Sequence, residues 1–154
     1  MKRIYILLFL LAVIITTSQC NRKSQATIDD EIITDYLNRN SLTATKTASG
    51  LYYIITKATT NAQAKNNDIA SVFYTGKFMD ERVFDSNTKS GSPFEFIIGK
   101  GQVIQGWDEG IALLHKGETA RLFIPSRLAY NTMGSGQIGP NTVIQFEVEL
   151  VNLR

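Results

Sequence analysis

The chain has 154 residues, a length that suits one globular domain with an extension. Its hydrophobic fraction of 44% and charged fraction of 19% are typical of a protein that buries a core, and they argue against intrinsic disorder. Lys2 and Arg3 belong to a predicted leader, and without them 14 of the 16 basic residues remain, equal in number to the 14 acidic ones. A chain with no net charge of this kind is not expected to bind nucleic acid.

Residues 1–19 have the pattern of a signal peptide, with a basic start, an apolar run over 4–15 and a polar end. The run is shorter than the roughly 20 residues of a spanning helix. Cys20, the only cysteine, follows directly and resembles the lipidation site of bacterial lipoproteins. This resemblance implies acyl chains such as palmitate on Cys20, a membrane anchor, and a place in the bacterial cell envelope, facing the periplasm or exterior. An uncleaved anchor, or secretion with a free thiol, is the alternative.

A polar tether and a short helix are predicted within residues 20–50. Thr27 offers an N-cap hydroxyl, and Asp29 and Asp30 follow it in the first turn. Apolar residues then recur at helical spacing, and they are Ile32, Ile33, Tyr36 and Leu37. We predict a helix over 28–38 that either packs on the domain or separates it from a membrane.

The rest of the chain, 51–154, is dominated by strand patterns. We predict strands over 51–56, 69–78, 82–84, 93–98, 119–124 and 142–153. One helix is predicted over 106–114, with Trp107, Ile111 and Leu114 on its apolar face. Because helices do not alternate with strands, the predicted fold is α+β, an antiparallel sheet half-wrapped around this short helix.

Alternation in the last strand predicts one buried and one exposed face. The predicted buried residues are Ile144, Phe146, Val148 and Leu150. The predicted exposed ones are Val143, Gln145, Glu147 and Glu149. The only histidine, His115, lies in a predicted turn after the helix and receives no role as ligand or base. A single cysteine also excludes cysteine-based metal clusters, so we expect no metal and no cofactor.

The stretch 83–107 concentrates aromatic residues around one carboxylate. Asp85 directly follows Phe84, and Phe94, Phe96 and Trp107 lie further along. Taken alone, this pattern fits ordinary core with Asp85 capping a loop. It also fits a concave apolar pocket with a few convergent polar groups.

Five ordered motifs favour the pocket. They are VFYTG at 72–76, VFDS at 83–86, PFEF at 93–96, GKGQVIQGWDEG at 99–110 and FEVEL at 146–150. Their order and separations resemble the FK506-binding-protein (FKBP) family of peptidyl-prolyl cis–trans isomerases, from about Leu51 to Arg154.

The resemblance implies a proline-binding pocket with Trp107 as its floor. It implies that the substrate-binding side chains are Tyr74, Phe84, Phe94, Val103, Ile104, Ile138 and Phe146. Asp85 is the implied buried acceptor at the rim, while the Ile104 N–H and the Tyr130 hydroxyl hold substrate carbonyls. Asp85, Tyr130 and Trp107 are therefore the catalytic candidates, and Ile138 is the implied lid over the proline.

The function implied by the resemblance is rotation of X–Pro bonds in envelope proteins, which assists their folding. Its partners are proline-containing polypeptides, and FK506-like macrolides are implied inhibitors. A non-catalytic chaperone that binds proline peptides, or a scaffold lipoprotein, is the alternative. The loop after Tyr130 distinguishes the enzyme from the non-catalytic alternative, because Asn131 stands where the family usually has glycine. A loop unable to close on proline would keep binding and lose turnover.

Overall fold

The computed structural model of the protein describes residues 23–88 and 90–154. The predicted leader and Cys20 lie outside these residues. The helices are α1, Gln25–Arg39, and α2, Gln105–Ala112, with a 3₁₀ turn at Ser126–Leu128. The strands are β1 Thr45–Lys46, β2 Tyr52–Lys57, β3 Ile69–Phe78, β4 Val83–Ser86, β5 Phe94–Ile97, β6 Thr119–Ile124 and β7 Ile144–Leu153.

The strands of the described residues form one antiparallel, seven-stranded sheet in the order β1-β2-β6-β7-β3-β4, and β5 also pairs with β3. The longest pairing joins β3 to β7, from Ala70 opposite Leu153 to Phe78 opposite Ile144. Both β4 and β5 lie along the other edge of β3, so the motifs that suggested a pocket become neighbours. The predicted α+β class is confirmed.

Helix α2 packs closely on one face of the sheet because its glycines lie against β6. A Cβ atom added to Gly106 would lie 2.5 Å from Ile124 Cγ2, and one added to Gly110 would lie 2.7 Å from Leu122 Cδ1. Trp107, Ile111 and Leu114 are buried, as their spacing predicts. The main core of the protein therefore lies between α2 and the sheet.

Helix α1 packs on the opposite face of the sheet rather than merely separating the domain from a membrane. Phe123 follows Leu122 in β6, and successive residues of a strand face opposite sides. Leu122 belongs to the core under α2, whereas Phe123 packs with Ile33 and Leu37 of α1. The two helices thus cover the two faces. No helix within residues 23–88 and 90–154 is long and apolar enough to cross a membrane.

Helix α1 begins one turn earlier than predicted because Ser24, not Thr27, caps it. The Ser24 hydroxyl oxygen accepts a hydrogen bond from the Thr27 N–H at 3.2 Å. Asp29, predicted in the first turn, is consequently in the second turn, and it is fully buried.

The predicted exposed face of β7 is wrong at its first half, where Val143 and Gln145 are buried. The reason is α1, which covers this end of the outer face. Gln145 is satisfied there by hydrogen bonds with Arg121 at 2.7 Å and with Glu81 at 2.8 Å. Beyond the helix, Glu147 and Glu149 are exposed as predicted.

We expect Gly106→Ala to destabilise the protein by about 1–3 kcal/mol, because the new methyl group would overpack the buried Ile124 side chain. At an unobstructed helix position the same change stabilises by roughly 0.5–1 kcal/mol. Urea denaturation measures the difference. Gly139→Ala is the control, since its Cβ would lie 3.5 Å from the nearest atom, Thr142 Oγ1, and it should stay within about 0.5 kcal/mol of the parent. A stabilised Gly106→Ala protein would contradict the close packing of α2.

Candidate functional site

A cavity of about 190 Å³ lies where α2 begins, between the helix and the strands. Its lining residues come from four strands, from α2 and the segment before it, and from the loop after β6. They are Tyr74, Asp85, Phe94, Gln102, Val103, Ile104, Trp107, Tyr130 and Phe146. Folding therefore brings together residues that are as far apart in the chain as Tyr74 and Phe146.

The floor of the cavity is the indole of Trp107, held by edge-to-face contacts with neighbouring rings. Its centroid lies 5.0 Å from that of Tyr74 and 5.2 Å from that of Phe146, with interplanar angles of 83° and 82°. Phe94 makes a third such contact at 6.1 Å. Rings in this arrangement attract each other through their quadrupoles as well as by burial. The Trp107 Nε1 is buried and has no hydrogen-bond partner among the described residues.

The wall that contains Phe146 depends on Gly76 of β3. A Cβ atom at this position would lie 2.6 Å from Phe84 Cε2 and 2.7 Å from Phe146 Cε1, so only glycine leaves room for both rings. The Phe84 and Phe146 rings meet edge to face at 5.5 Å. Phe84 stands behind Phe146 and supports the wall without lining the cavity itself.

Two hydroxyl groups and a carboxylate form the polar rim. The Tyr74 hydroxyl donates a hydrogen bond to Asp85 Oδ2 at 2.8 Å. The prediction of a buried Asp85 is wrong, because β4 is the last strand of the sheet path and leaves this residue exposed at the cavity mouth. The carboxylate therefore keeps contact with water while it accepts from Tyr74.

Both rim tyrosines remain protonated at neutral pH. Burial raises the pKa of Tyr74 to about 12, and the hydrogen bond to Asp85 adds to the rise. Burial also raises the pKa of Tyr130, and the nearby charge of Asp85 raises it further. The Tyr130 hydroxyl makes no hydrogen bond with the described residues, so it is a free donor at the rim.

Asn87, which the sequence analysis did not identify, fixes the strand beneath Tyr74. Its side-chain oxygen accepts from the Tyr74 N–H at 2.7 Å, and its amide nitrogen donates to the Val72 carbonyl at 3.0 Å. Between β4 and β5 no strand of the described residues pairs with this edge of β3, and the Asn87 side chain there forms hydrogen bonds with the β3 backbone that a neighbouring strand would otherwise form. Its position directly after a short strand, where asparagine commonly bonds to backbone, is the signal that could have identified it.

The segment before α2 supplies an unpaired backbone donor. Ile104 is the N-cap of α2, its side chain makes no capping bond, and its N–H donates to none of the described residues. Helix N-termini leave such N–H groups unsatisfied. Gln102, also missed from sequence, ties the segment to β5 by accepting from the Ile97 N–H at 2.8 Å. Val103 and Ile104 both line the cavity.

The loop after β6 positions Tyr130. Asn131 has a positive φ of 49°, a left-handed conformation that asparagine tolerates better than most residues, so it adopts a glycine-like backbone here. The Asn131 carbonyl accepts from the Asn141 N–H at 2.7 Å and closes the loop. Ile138 packs into the core with 6% of its surface exposed and does not line the cavity.

Eight of the ten side chains predicted for the site surround the cavity, and Phe84 and Ile138 do not. Their roles in binding or catalysis stay predictions. Within residues 23–88 and 90–154, no group of three or more His, Cys, Asp and Glu side chains is arranged to hold a metal ion. The chemistry that the cavity offers is aromatic enclosure with hydrogen-bond donors at its mouth.

The sequence model of the family described as FKBP-type peptidyl-prolyl cis-trans isomerase matches residues 60–151, more than half of the chain. The protein therefore belongs to this family, and the antiparallel sheet around α2 is the family's fold.

Relatives and solved structures agree with this assignment. The chain is 46% identical, over 70% of its length and 39% of the relative's, to the probable FKBP-type peptidyl-prolyl cis-trans isomerase FkpA of Neisseria meningitidis. It is 47% identical, over 58% of its length and 79% of the relative's, to FK506-binding protein 1 of Saccharomyces cerevisiae. It superposes on the crystal structure of FkpA from Escherichia coli with a TM-score of 0.72 and 30% identity, covering 84% of this chain and 61% of that one. The chain thus spans well under half of the Neisseria relative.

We expect Tyr74 to keep its proton until the pH reaches about 12. Because an ordinary tyrosine has a pKa of about 10, the stability linked to this raised pKa is complete below about pH 10. It is lost as the pH rises through about 12. Ultraviolet titration of tyrosinate in the parent and in Tyr74→Phe measures this, and the difference between the curves should be a step near pH 12. A difference step near about pH 10 would contradict the described environment of Tyr74.

Proposed function

We propose that this protein catalyses cis–trans isomerisation of X–Pro peptide bonds. The observation that carries the proposal is the cavity itself, an aromatic enclosure on Trp107 with the Tyr74–Asp85 pair and the Tyr130 hydroxyl at its mouth. Its substrates are proline-containing polypeptides, and FK506-like macrolides are candidate inhibitors because they would occupy the same cavity. Membership of the isomerase family supports the proposal.

The reaction needs no bond to be broken. Rotation about a peptide bond is opposed by a barrier of roughly 18–20 kcal/mol, because resonance between the nitrogen lone pair and the carbonyl is lost in the twisted state. Unaided X–Pro isomerisation takes tens to hundreds of seconds. A catalyst therefore has to bind the twisted amide better than the planar one.

The apolar walls favour the twisted amide. Loss of resonance removes charge separation from the amide. The twisted amide is therefore less stabilised by water than the planar amide, and it gives up less hydration free energy when aromatic side chains replace the water. Trp107, Tyr74 and Phe146 provide these walls, and their mutual edge-to-face contacts keep the enclosure in shape before substrate arrives. Exclusion of water by a preformed cavity is an established way to lower such a barrier.

The donors at the mouth hold the flanking peptide while the bond turns. The Ile104 N–H and the Tyr130 hydroxyl are free among the described residues, and each is placed to donate a hydrogen bond to a carbonyl oxygen of the substrate. Fixed donors of this kind need no reorganisation during the reaction. Asp85 holds Tyr74 at the rim, so that this ring keeps its place against Trp107.

We expect the purified protein to accelerate isomerisation of a short X–Pro peptide, and Tyr130→Phe to lower kcat/KM about tenfold through loss of one hydrogen bond to the substrate. Asp85→Ala should lower it by a similar factor, because Tyr74 loses its acceptor at the rim. The measurement is a protease-coupled or NMR isomerisation assay.

Tyr53→Phe is the matched control, since Tyr53 lies in β2 and lines no part of the cavity, and its kcat/KM should stay within about twofold of the parent. Tight peptide binding by the parent without rate enhancement would overturn the isomerase proposal. That result would favour a chaperone that holds proline-containing segments.

We also propose that the protein is a lipoprotein of the bacterial cell envelope, anchored through Cys20. The support is the leader pattern of residues 1–19 and the position of Cys20 directly after it. Gln25, the start of α1, follows Cys20 by five residues, which allows a separation of at most about 18 Å. An anchored domain would therefore work close to the membrane surface, on polypeptides of the envelope.

Replacement of Cys20 tests the anchor. We expect the parent, produced in a bacterial host, to incorporate a palmitate analogue and to sediment with membranes. Cys20→Ser should lose both properties, because serine has no thiol to acylate, while retaining the cavity. Label on the Cys20→Ser protein, or an unlabelled parent, would contradict lipidation at this residue.

A further inference from the structure

Helix α1 touches neither the cavity nor its walls, yet it is bonded to both segments that form the polar rim. We propose that α1 positions the prolyl site, and that Asp29 is its positioning residue for Tyr130. The inference rests on the proposed function only in its catalytic readout, because the same geometry governs peptide binding.

Asp29 makes the first connection. Its carboxylate is fully buried, and Oδ2 accepts hydrogen bonds from both the N–H and the hydroxyl of Ser126, at 2.8 and 2.7 Å. Oδ1 accepts from Gln25 Nε2 at 2.7 Å. A buried carboxylate without such donors would be strongly unfavourable, so the position of Ser126 is tied to that of the helix.

Ser126 in turn holds the backbone on both sides of Tyr130. Its carbonyl accepts from the N–H of Ala129 at 3.0 Å and from the N–H of Asn131 at 2.8 Å. These two residues flank Tyr130 in the chain, so the backbone on each side of the rim tyrosine is held by one carbonyl. Ser126 thus links α1 to the loop that carries Tyr130, because its N–H and hydroxyl donate to Asp29 and its carbonyl accepts from the loop.

The second connection runs from α1 to the turn before β4. The Tyr36 hydroxyl donates to Glu81 Oε1 and accepts from Arg121 Nη2, the latter at 2.7 Å. Gln145 Nε2 donates to the same Glu81 oxygen at 2.8 Å. Glu81 lies in the turn that leads into β4 and its rim carboxylate. Tyr36 follows Asp29 by seven residues, which places both on one face of α1 two turns apart.

One rigid helix therefore holds the two rim segments, one carrying Tyr130 and the other carrying Asp85. Ile33, which lies between the two contacts, and Leu37, which follows the second, pack on the outer face of the sheet. If α1 acted only as a cover for that face, weakening it would lower stability and leave the site unchanged. A positioning role and a covering role of α1 therefore predict different effects on peptide binding when Asp29 and its neighbour Asp30 are replaced.

Asp29→Ala and Asp30→Ala form the matched pair. Asp30 is also a carboxylate that docks α1, through Tyr52 at 2.6 Å and Lys46, but it makes no bond to the rim segments. We expect Asp29→Ala to weaken the affinity for an X–Pro peptide, and kcat/KM, about tenfold at a temperature well below unfolding. Asp30→Ala should lower the melting temperature and leave both values as in the parent. Asp29→Asn should restore most of the affinity, because its oxygen can still accept from Ser126.

Fluorescence of Trp107, the only tryptophan, reports peptide binding without reference to turnover. Hydrogen exchange at the Asn131 amide reports the loop directly and should accelerate at least about tenfold in Asp29→Ala but not in Asp30→Ala. If Asp29→Ala does not fold, Ser126→Ala replaces it. This change removes one of the two bonds, so a smaller loss of affinity in the same direction is expected.

Equal affinity and equal exchange in Asp29→Ala and the parent would overturn the positioning role, as would equal losses in the two alanine variants. A parent that binds peptide without accelerating isomerisation would overturn the proposed enzyme only. In that case the affinity and exchange results would still decide the role of Asp29. Normal turnover in Asp29→Ala would overturn this inference and leave the proposed function intact.

Discussion

The close approach of α2 to β6 is the contact on which the cavity depends. Gly106 and Gly110 have no side chains, so the helix lies against Ile124 and Leu122 at a distance that any Cβ atom would prevent. This places Trp107, the residue after Gly106, between the rings of Tyr74 and Phe146. Gly76 in β3 likewise leaves room for side chains, here for the rings of Phe84 and Phe146. The aromatic enclosure is therefore a result of missing side chains as much as of the rings themselves.

The two faces of the sheet have different tasks. The face under α2 supplies the apolar floor and walls of the cavity. The face under α1 carries a polar network of buried side chains, with Asp29 and Gln145 bonded to segments that continue to the rim. The apolar interior of the cavity and the support of its polar rim thus come from opposite sides of one sheet. The rim is the part that requires exact placement of hydrogen-bond donors.

Local patterns in the sequence were sufficient for the sheet and for most of the cavity. β3 and β6 have the predicted bounds, and Pro125 ends the second. Features set by distant parts of the chain could not be read locally. Gln145 looks exposed in an alternating strand and is buried only because α1 covers it. Asp85 looks buried beside an aromatic residue and is exposed because its strand is at an edge. Asn87 stands in a position typical of backbone bonding, but its partners in β3 are not apparent from the sequence. Gln102 binds a backbone N–H of β5 that no local pattern specifies.

The cavity on Trp107 is proposed both to bind an X–Pro bond and to turn it. NMR exchange spectroscopy of a labelled X–Pro peptide, with a small amount of protein added, tests both parts in one sample. We predict exchange peaks between the cis and trans signals, which are absent for the free peptide because it isomerises in tens to hundreds of seconds. We also predict a shift of the Trp107 indole N–H signal as the peptide concentration rises. A shifted indole signal without exchange peaks, or exchange peaks with an unmoved indole signal, would contradict the claim.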